Sequence, residues 1–310
     1  MSRVQANLLL TLVALIWGSA FVAQSHGMAD IGPMAFTGVR FLIGALVVAP
    51  LSWREWQGLR RTAARAQERR RGVWQIGGLG VFLLLGAVMQ QTGLISTTVT
   101  NAGFLTALYV PLVPLLGWLL LRQLPHWSVW PTGLSCLLGA FLLSGAHELS
   151  IGVGDLWVIA SALPWALHVL LVGRVADRLA APFLVAGGQF FVCGVLALIA
   201  ALLFEGVDLA ALRAAALPIL YTGVLSVGIA FSCQVIAQRY ADAADAAIIL
   251  SSETVFAALF GYLLMGDRLD LAGVGGCALI LIGIVTINLR TGGQPAGLPA
   301  AATEQPGARE

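Results

Sequence analysis

Lysine is absent from this 310-residue chain, and charge of any kind is scarce, at 10% of residues against about a quarter in a soluble domain. With 59% hydrophobic residues and a mean hydropathy of +0.90, a soluble fold is excluded. Cysteine is rare too. Cys136, Cys193, Cys233 and Cys277 all fall in apolar stretches, as small apolar fillers rather than a disulfide framework or a spaced metal site. No Walker loop is present, so any active transport must draw on an ion or solute gradient. Also missing are a Gly-x-Ser-Gly nucleophile, a His-Glu-x-x-His metal motif and paired intramembrane aspartates. An intramembrane enzyme or sensor with a polar central cavity, using Ser19 with His26 or His168, or Glu253, is the alternative reading. No cofactor and no metal are expected.

What the chain does have is ten apolar stretches of membrane-spanning length. They run over 7–26, 33–52, 72–91, 100–121, 128–145, 155–174, 182–204, 214–238, 243–266 and 271–290. A hydrocarbon core of about 30 Å needs roughly 20 apolar residues per helix. The first stretch is too long for a signal peptide and nine more follow it, so it reads as a retained span.

The arginines set orientation. Arg54, Arg60, Arg61, Arg65, Arg69, Arg70 and Arg71 crowd the loop after the second span, which should therefore be cytoplasmic. The same choice places Arg3, Arg122, Arg174, Arg178, Arg239, Arg290 and Arg309 inside, leaving Arg213 and Arg268 outside. Both termini are then cytoplasmic, in a multi-pass protein of the inner membrane. The arginine run needs topology and anionic headgroups, not nucleic acid, to explain it.

Sliding 72–145 forward by 144 positions lays Gln90 on Gln234, Ala102 on Ala246, Gly117 on Gly261, Trp118 on Tyr262 and Gly139 on Gly283. Leu15 to Trp17 matches Leu163 to Trp165 at a slightly larger offset. The expected fold is thus an all-α membrane protein of ten transmembrane helices in two five-helix repeats. An odd number of spans per repeat inverts the second copy, an arrangement suited to alternating access and not to a pore lined by rings. The expected organisation is an N-terminus over 1–6, a first repeat over 7–145, a second over 152–290 and a disordered tail over 291–310.

The segments Ile16-Trp17-Gly18-Ser19-Ala20-Phe21, Thr37-Gly38-Val39-Arg40-Phe41 and Leu250 to Leu259 (LSSETVFAAL) resemble the EamA-type drug/metabolite transporter family. The resemblance covers both halves, about 7–290. It implies ten helices in two inverted repeats that move small metabolites, often amino acids or toxic organic compounds, frequently outward. Family members often carry proline after the ninth-span glutamate, where this chain has Thr254, which puts a kink there in doubt. The Gly-Glu that commonly closes the fourth and ninth spans appears as Arg122-Gln123 and Gly266-Asp267, a change expected to affect capping or surface pairing more than transport.

Depth along each span picks out a candidate site. Trp17, Tyr109, Trp165 and Glu253 lie nine or ten residues from a span end, near the midplane where inverted-repeat carriers bind. The aromatics offer flat walls with hydrogen-bonding edges, or simple packing surfaces. Glu253 is the only acidic side chain deep within a span, a candidate for a substrate amine or a coupling proton, or for a structural hydrogen bond. Arg40 sits about 10 Å deep and has three roles open to it: binding a substrate carboxylate, pairing with Glu253, or reaching the headgroups. Gln189 stands at its mirror depth from the other side, which hints at a shared gate. Gln90 and Gln234 complete the candidate substrate-binding set with His168, which shares a face with Trp165 and serves as a proton relay or a packed core group. Helical spacing also groups Gln24 with Trp17, Asn101 with Tyr109, and Ser226 with Ala230 and Gln234.

Pro111, Pro114 and Pro164 should loosen the carbonyls of Ala107, Val110 and Ala160. Gly133, Gly139 and Gly145, with Ala272, Gly276 and Gly283, give smooth faces on which the fifth and tenth spans should pack, and through which a homodimer could form. The expected function is a secondary carrier exporting small amphipathic metabolites such as amino acids, driven by protons or by exchange. Its partners are a small-molecule substrate, the lipid bilayer and a proton.

Overall fold

The computed structural model describes residues 1–28, 31–61, 66–144, 151–266, 268 and 270–292. Arg65, Gly145, Asp267, Arg309 and the tail from 293 lie outside the described residues. Helices occur in the order α1 (Arg3–Gly27), α2 (Pro33–Arg60), α3 (Ala66–Gly93), α4 (Val99–Thr106), α5 (Tyr109–Leu121), α6 (Val129–Leu143) and α7 (Val153–Leu179). They continue with α8 (Pro182–Phe204), α9 (Leu209–Ala214), α10 (Ala216–Tyr221), a π-helical stretch Thr222–Phe231 and α11 (Ser232–Ala237). The last are α12 (Ala243–Leu250), α13 (Glu253–Phe260), a π turn Gly261–Met265 and α14 (Leu271–Gly292). Among the described residues, nine helical segments are long and apolar enough to cross a membrane, and α6 is a shorter apolar tenth. The fold is all-α, with ten spans in two repeats. At the arginine-rich end α2, α3 and α7 run past the apolar stretches, because a helix satisfies its own backbone in the interface as well as in lipid.

Packing partners exchange under the repeat. The first span packs on the eighth as the sixth packs on the third, and the second packs on the eighth as the seventh packs on the third. The second and seventh pair with each other, as do the fifth and tenth. The second and seventh are antiparallel, and each closes the other's N-terminus. Glu205, after α8, accepts from the amides of Met34 and Ala35 at 2.8 and 2.9 Å. Glu55 in α2 accepts from the amide of Leu184 at 2.8 Å. Both helices begin with proline, which leaves the remaining first-turn donors for these carboxylates.

The fifth and tenth spans do pack closely. A Cβ at Gly139 would lie 2.6 Å from the carbonyl oxygen of Gly276. Only glycine permits that approach, and close backbone contact is what holds helices together in lipid.

The fourth and ninth spans are each broken at the same place. α4 ends at Thr106 and α12 at Leu250, 144 positions later, and α5 and α13 restart at Tyr109 and Glu253. The doubt over a kink without proline is thus resolved in favour of a break. Ser251, Ser252 and Thr254 supply it by turning their hydroxyls back onto the carbonyls of Ile248, Ile249 and Ser251, at 2.7, 2.6 and 2.7 Å. Arg122 and Gly266, also 144 apart, cap these spans in the left-handed conformation with φ of 54° and 75°. The substitution at 122 therefore bears on capping.

The third and eighth spans differ by one residue. Gly80 lies against the carbonyl of Gln189, and Gly223 lies in the same way against that of Arg40, with 3.1 Å to each from a Cβ built there. Gly80 and Gly223 are 143 apart, whereas Gln90 and Gln234 are 144 apart. The extra residue falls within the π-helical stretch, the usual way an insertion is absorbed by a helix.

Candidate functional site

A cavity lies where the two repeats meet. The first span contributes Trp17, Phe21 and Gln24; the second, third and fourth contribute Arg40, Gln90, Thr106 and Tyr109. The sixth, eighth and ninth contribute Trp165, Val169, Ser226, Phe231, Gln234 and Glu253. Seven of the eight candidate residues are therefore brought together.

The breaks in the fourth and ninth spans place Tyr109 and Glu253 as first residues of α5 and α13. No described residue donates a hydrogen bond to Glu253 or forms an ion pair with it. Tyr109 directs its hydroxyl at the carbonyl of Ala247, at a long 3.5 Å.

Arg40 is buried. It donates from Nη1 to Gln24 Oε1 at 2.5 Å, and its guanidinium lies 5.3 Å from the ring centres of both Phe36 and Phe41. Of the three roles open to it, pairing with Glu253 is not formed in this structure. The aromatic neighbours and the glutamine hold the cation in place at the cavity wall.

Gln90 donates to Thr106 Oγ1 at 2.8 Å, while both polar atoms of the buried Gln234 amide lack a partner among the described residues. Trp17 donates from Nε1 to the carbonyl of Ser226 at 3.3 Å, while Trp165 Nε1 has no partner among the described residues.

His168 stands apart from the cavity. It is fully buried, with Nε2 2.9 Å from Gln189 Oε1. Its ring meets Trp165 edge-on at 6.1 Å. Gln189, the mirror of Arg40, is thus turned into the core rather than to a shared gate.

Two groupings by helical spacing are corrected. Asn101 does not share a face with Tyr109, because the break at 107–108 comes between them. It bonds instead to Asp155 Oδ1 at 2.6 Å and Thr97 Oγ1 at 3.0 Å. Ala230 does not join Ser226 and Gln234 at the cavity. The wider π turn puts Phe231 there instead.

Phe231 is the main residue that the sequence reading missed. Its ring centre lies 4.5 Å from that of Trp17 and 6.0 Å from that of Trp165, nearly parallel to the latter at 15°. The signal for it was the one-position change of repeat offset between Gly80 and Gln90.

Comparison with known proteins agrees with this architecture. A solved crystal structure shares the fold at a TM-score of 0.71 and 22% identity, with 94% of this chain and 98% of that chain covered. An uncharacterized transporter from Archaeoglobus fulgidus is 31% identical over 290 residues, covering 93% of this chain and 87% of that protein. The uncharacterized transporter YoaV of Bacillus subtilis is 25% identical over 291 residues, covering 88% and 92%. The uncharacterized protein PA1977 of Pseudomonas aeruginosa is 31% identical over 306 residues, covering 89% and 94%. The model of the EamA-like transporter family matches residues 4–145 and again 152–289. With that double match across both halves, the chain belongs to the EamA-like transporter family.

Proposed function

We propose that this membrane transporter is a secondary carrier that works by alternating access, with its substrate site in the cavity between the repeats. The observation that carries this reading is the cavity itself. It sits at the repeat interface, is walled by both halves, and mixes aromatic surface with polar groups that lack protein partners. An inverted pair can adopt two mirror-related packings, each opening the same site to one side.

The finer reading is export of amino acids or related amphipathic compounds across the inner membrane, with both termini cytoplasmic, driven by protons or by exchange. Aromatic walls suit an apolar body, Glu253 an ammonium group and Arg40 a carboxylate. No catalytic step is needed. The arginine excess on one side supports the orientation.

The test is uptake of a pool of labelled amino acids and metabolites into proteoliposomes, with and without a proton gradient. Saturable movement that is reduced in folded Trp17→Ala and Trp165→Ala proteins is expected. No movement of any compound by folded protein would contradict the carrier reading. Glu253→Gln should abolish gradient-driven movement and spare counterflow exchange if Glu253 carries the proton. Equal loss of both would assign it to binding or structure.

A further inference from the structure

Three pairs of cavity side chains occupy positions that the repeat exchanges: Trp17 with Trp165, Gln90 with Gln234, and Tyr109 with Glu253. Among the described residues, the first-repeat member of each pair has a hydrogen-bond partner and the second-repeat member has none. Trp17 donates to the Ser226 carbonyl, Gln90 to Thr106 and Tyr109 to the Ala247 carbonyl. Among the described residues, the Trp165 N–H and both ends of the Gln234 amide are buried and unpartnered, and none donates a hydrogen bond to the Glu253 carboxylate.

The causes lie in single residues. Thr106 serves Gln90, but the equivalent position in the second repeat is Leu250, which has no hydroxyl to offer Gln234. Trp17 meets a carbonyl in the π-helical stretch of the eighth span, where the wide turn loosens backbone bonding. Trp165 instead lies over Gly86 in the unbroken α-helix of the third span. There the carbonyls are already used within the helix.

A buried polar group without a partner is costly, and a ligand that supplies the missing bonds recovers that cost on binding. We infer that, within these three pairs, the polar contacts to the transported molecule are made by the second-repeat members, beside Arg40, whose Nε is likewise buried and without a partner among the described residues. Gln234, Trp165 and Glu253 together receive a compact head that presents both hydrogen-bond donors and acceptors, as an α-ammonium carboxylate or a carboxamide does. Trp17, Gln90 and Tyr109 shape the wall around it. This inference rests on the carrier reading of the cavity.

The experiment pairs thermal unfolding in detergent with uptake by proteoliposomes. Labelled α-amino acids and their carboxamides are the probes, beside monocarboxylic acids and primary amines that lack such a head. Leu250→Thr should give Gln234 the partner that Gln90 has, raising the unfolding midpoint above that of the isosteric Leu250→Val. It should also weaken apparent affinity about tenfold relative to Leu250→Val, since the amide is no longer open. Gln234→Leu should cost about ten times more affinity than Gln90→Leu. Equal losses at positions 90 and 234, or identical behaviour of the two Leu250 variants, overturns the inference. Uptake confined to the probes without the head overturns it but leaves the carrier reading standing. Uptake of no probe by folded wild-type protein overturns both.

Discussion

The third and eighth spans fill equivalent places, yet one is an uninterrupted α-helix and the other is widened over ten residues, Thr222–Phe231. Each packs its glycine against its own partner span and presents its glutamine to the cavity. Between those two fixed points the eighth span holds one more residue. Keeping both contacts forces the extra residue into the helix, and it brings Phe231 and the Ser226 carbonyl against Trp17. One inserted residue thus makes the two walls of a pseudo-symmetric cavity chemically unequal. The lesson is that symmetry here governs backbone packing, while selectivity is written in its exceptions.

The strongest way to break the comparison is to remove the extra residue. Deleting Ile229, which is 40% exposed, should restore α-helical register in the eighth span. Either the Gly223 contact or the Gln234 placement is then lost. Uptake should fall to background in protein that still elutes as a folded species on size exclusion.

Phe231→Ala comes next. It removes a ring that meets five aromatic neighbours, Trp17, Phe41, Trp165, His168 and Phe190. A loss of about 3 kcal/mol is expected for a large buried aromatic, read as a lower thermal midpoint. The equivalent change in the third span, at Ala87, has no ring to remove.

The reciprocal caps should show the symmetric side of the comparison. Glu55→Gln and Glu205→Gln each weaken a carboxylate cap and should each cost about 1 kcal/mol, by similar amounts in thermal unfolding. Markedly unequal losses would mean that the second and seventh spans are not held as a mirrored pair.

The smallest effect is a gain. Arg122 adopts a left-handed conformation with φ 54° where the ninth span has Gly266, so Arg122→Gly should stabilise by about 1 kcal/mol. An unchanged or lower midpoint would assign the arginine side chain a compensating contact.

Much of this was legible in the chain. Ten spans, the doubling and the convergence of Trp17, Arg40, Gln90, Tyr109, Trp165, Gln234 and Glu253 follow from hydropathy, register and depth, because lipid imposes length and inversion imposes a common level. What failed to read was anything that departs from 3.6 residues per turn. Asn101 was grouped with Tyr109, and Ala230 with Ser226 and Gln234, by regular spacing, and a break or an inserted residue took both off those faces. The ninth-span break was invisible because proline is the usual mark, whereas here three hydroxyls produce it. His168 shares a face with Trp165 in sequence, yet a hydrogen bond to Gln189 holds it in the core, and that partner comes from another span.

The central claim is that the cavity between the repeats is the site that opens to each side in turn. Ser226→Cys, in a background with the four native cysteines replaced by serine or alanine, places a thiol on the cavity wall. Its reaction with a membrane-impermeant thiol reagent, added to one face at a time in sealed vesicles, tests that claim most directly. Labelling from both faces, with a transported solute shifting the ratio of the two rates, is the predicted result. Labelling from one face alone under every solute gradient would contradict it.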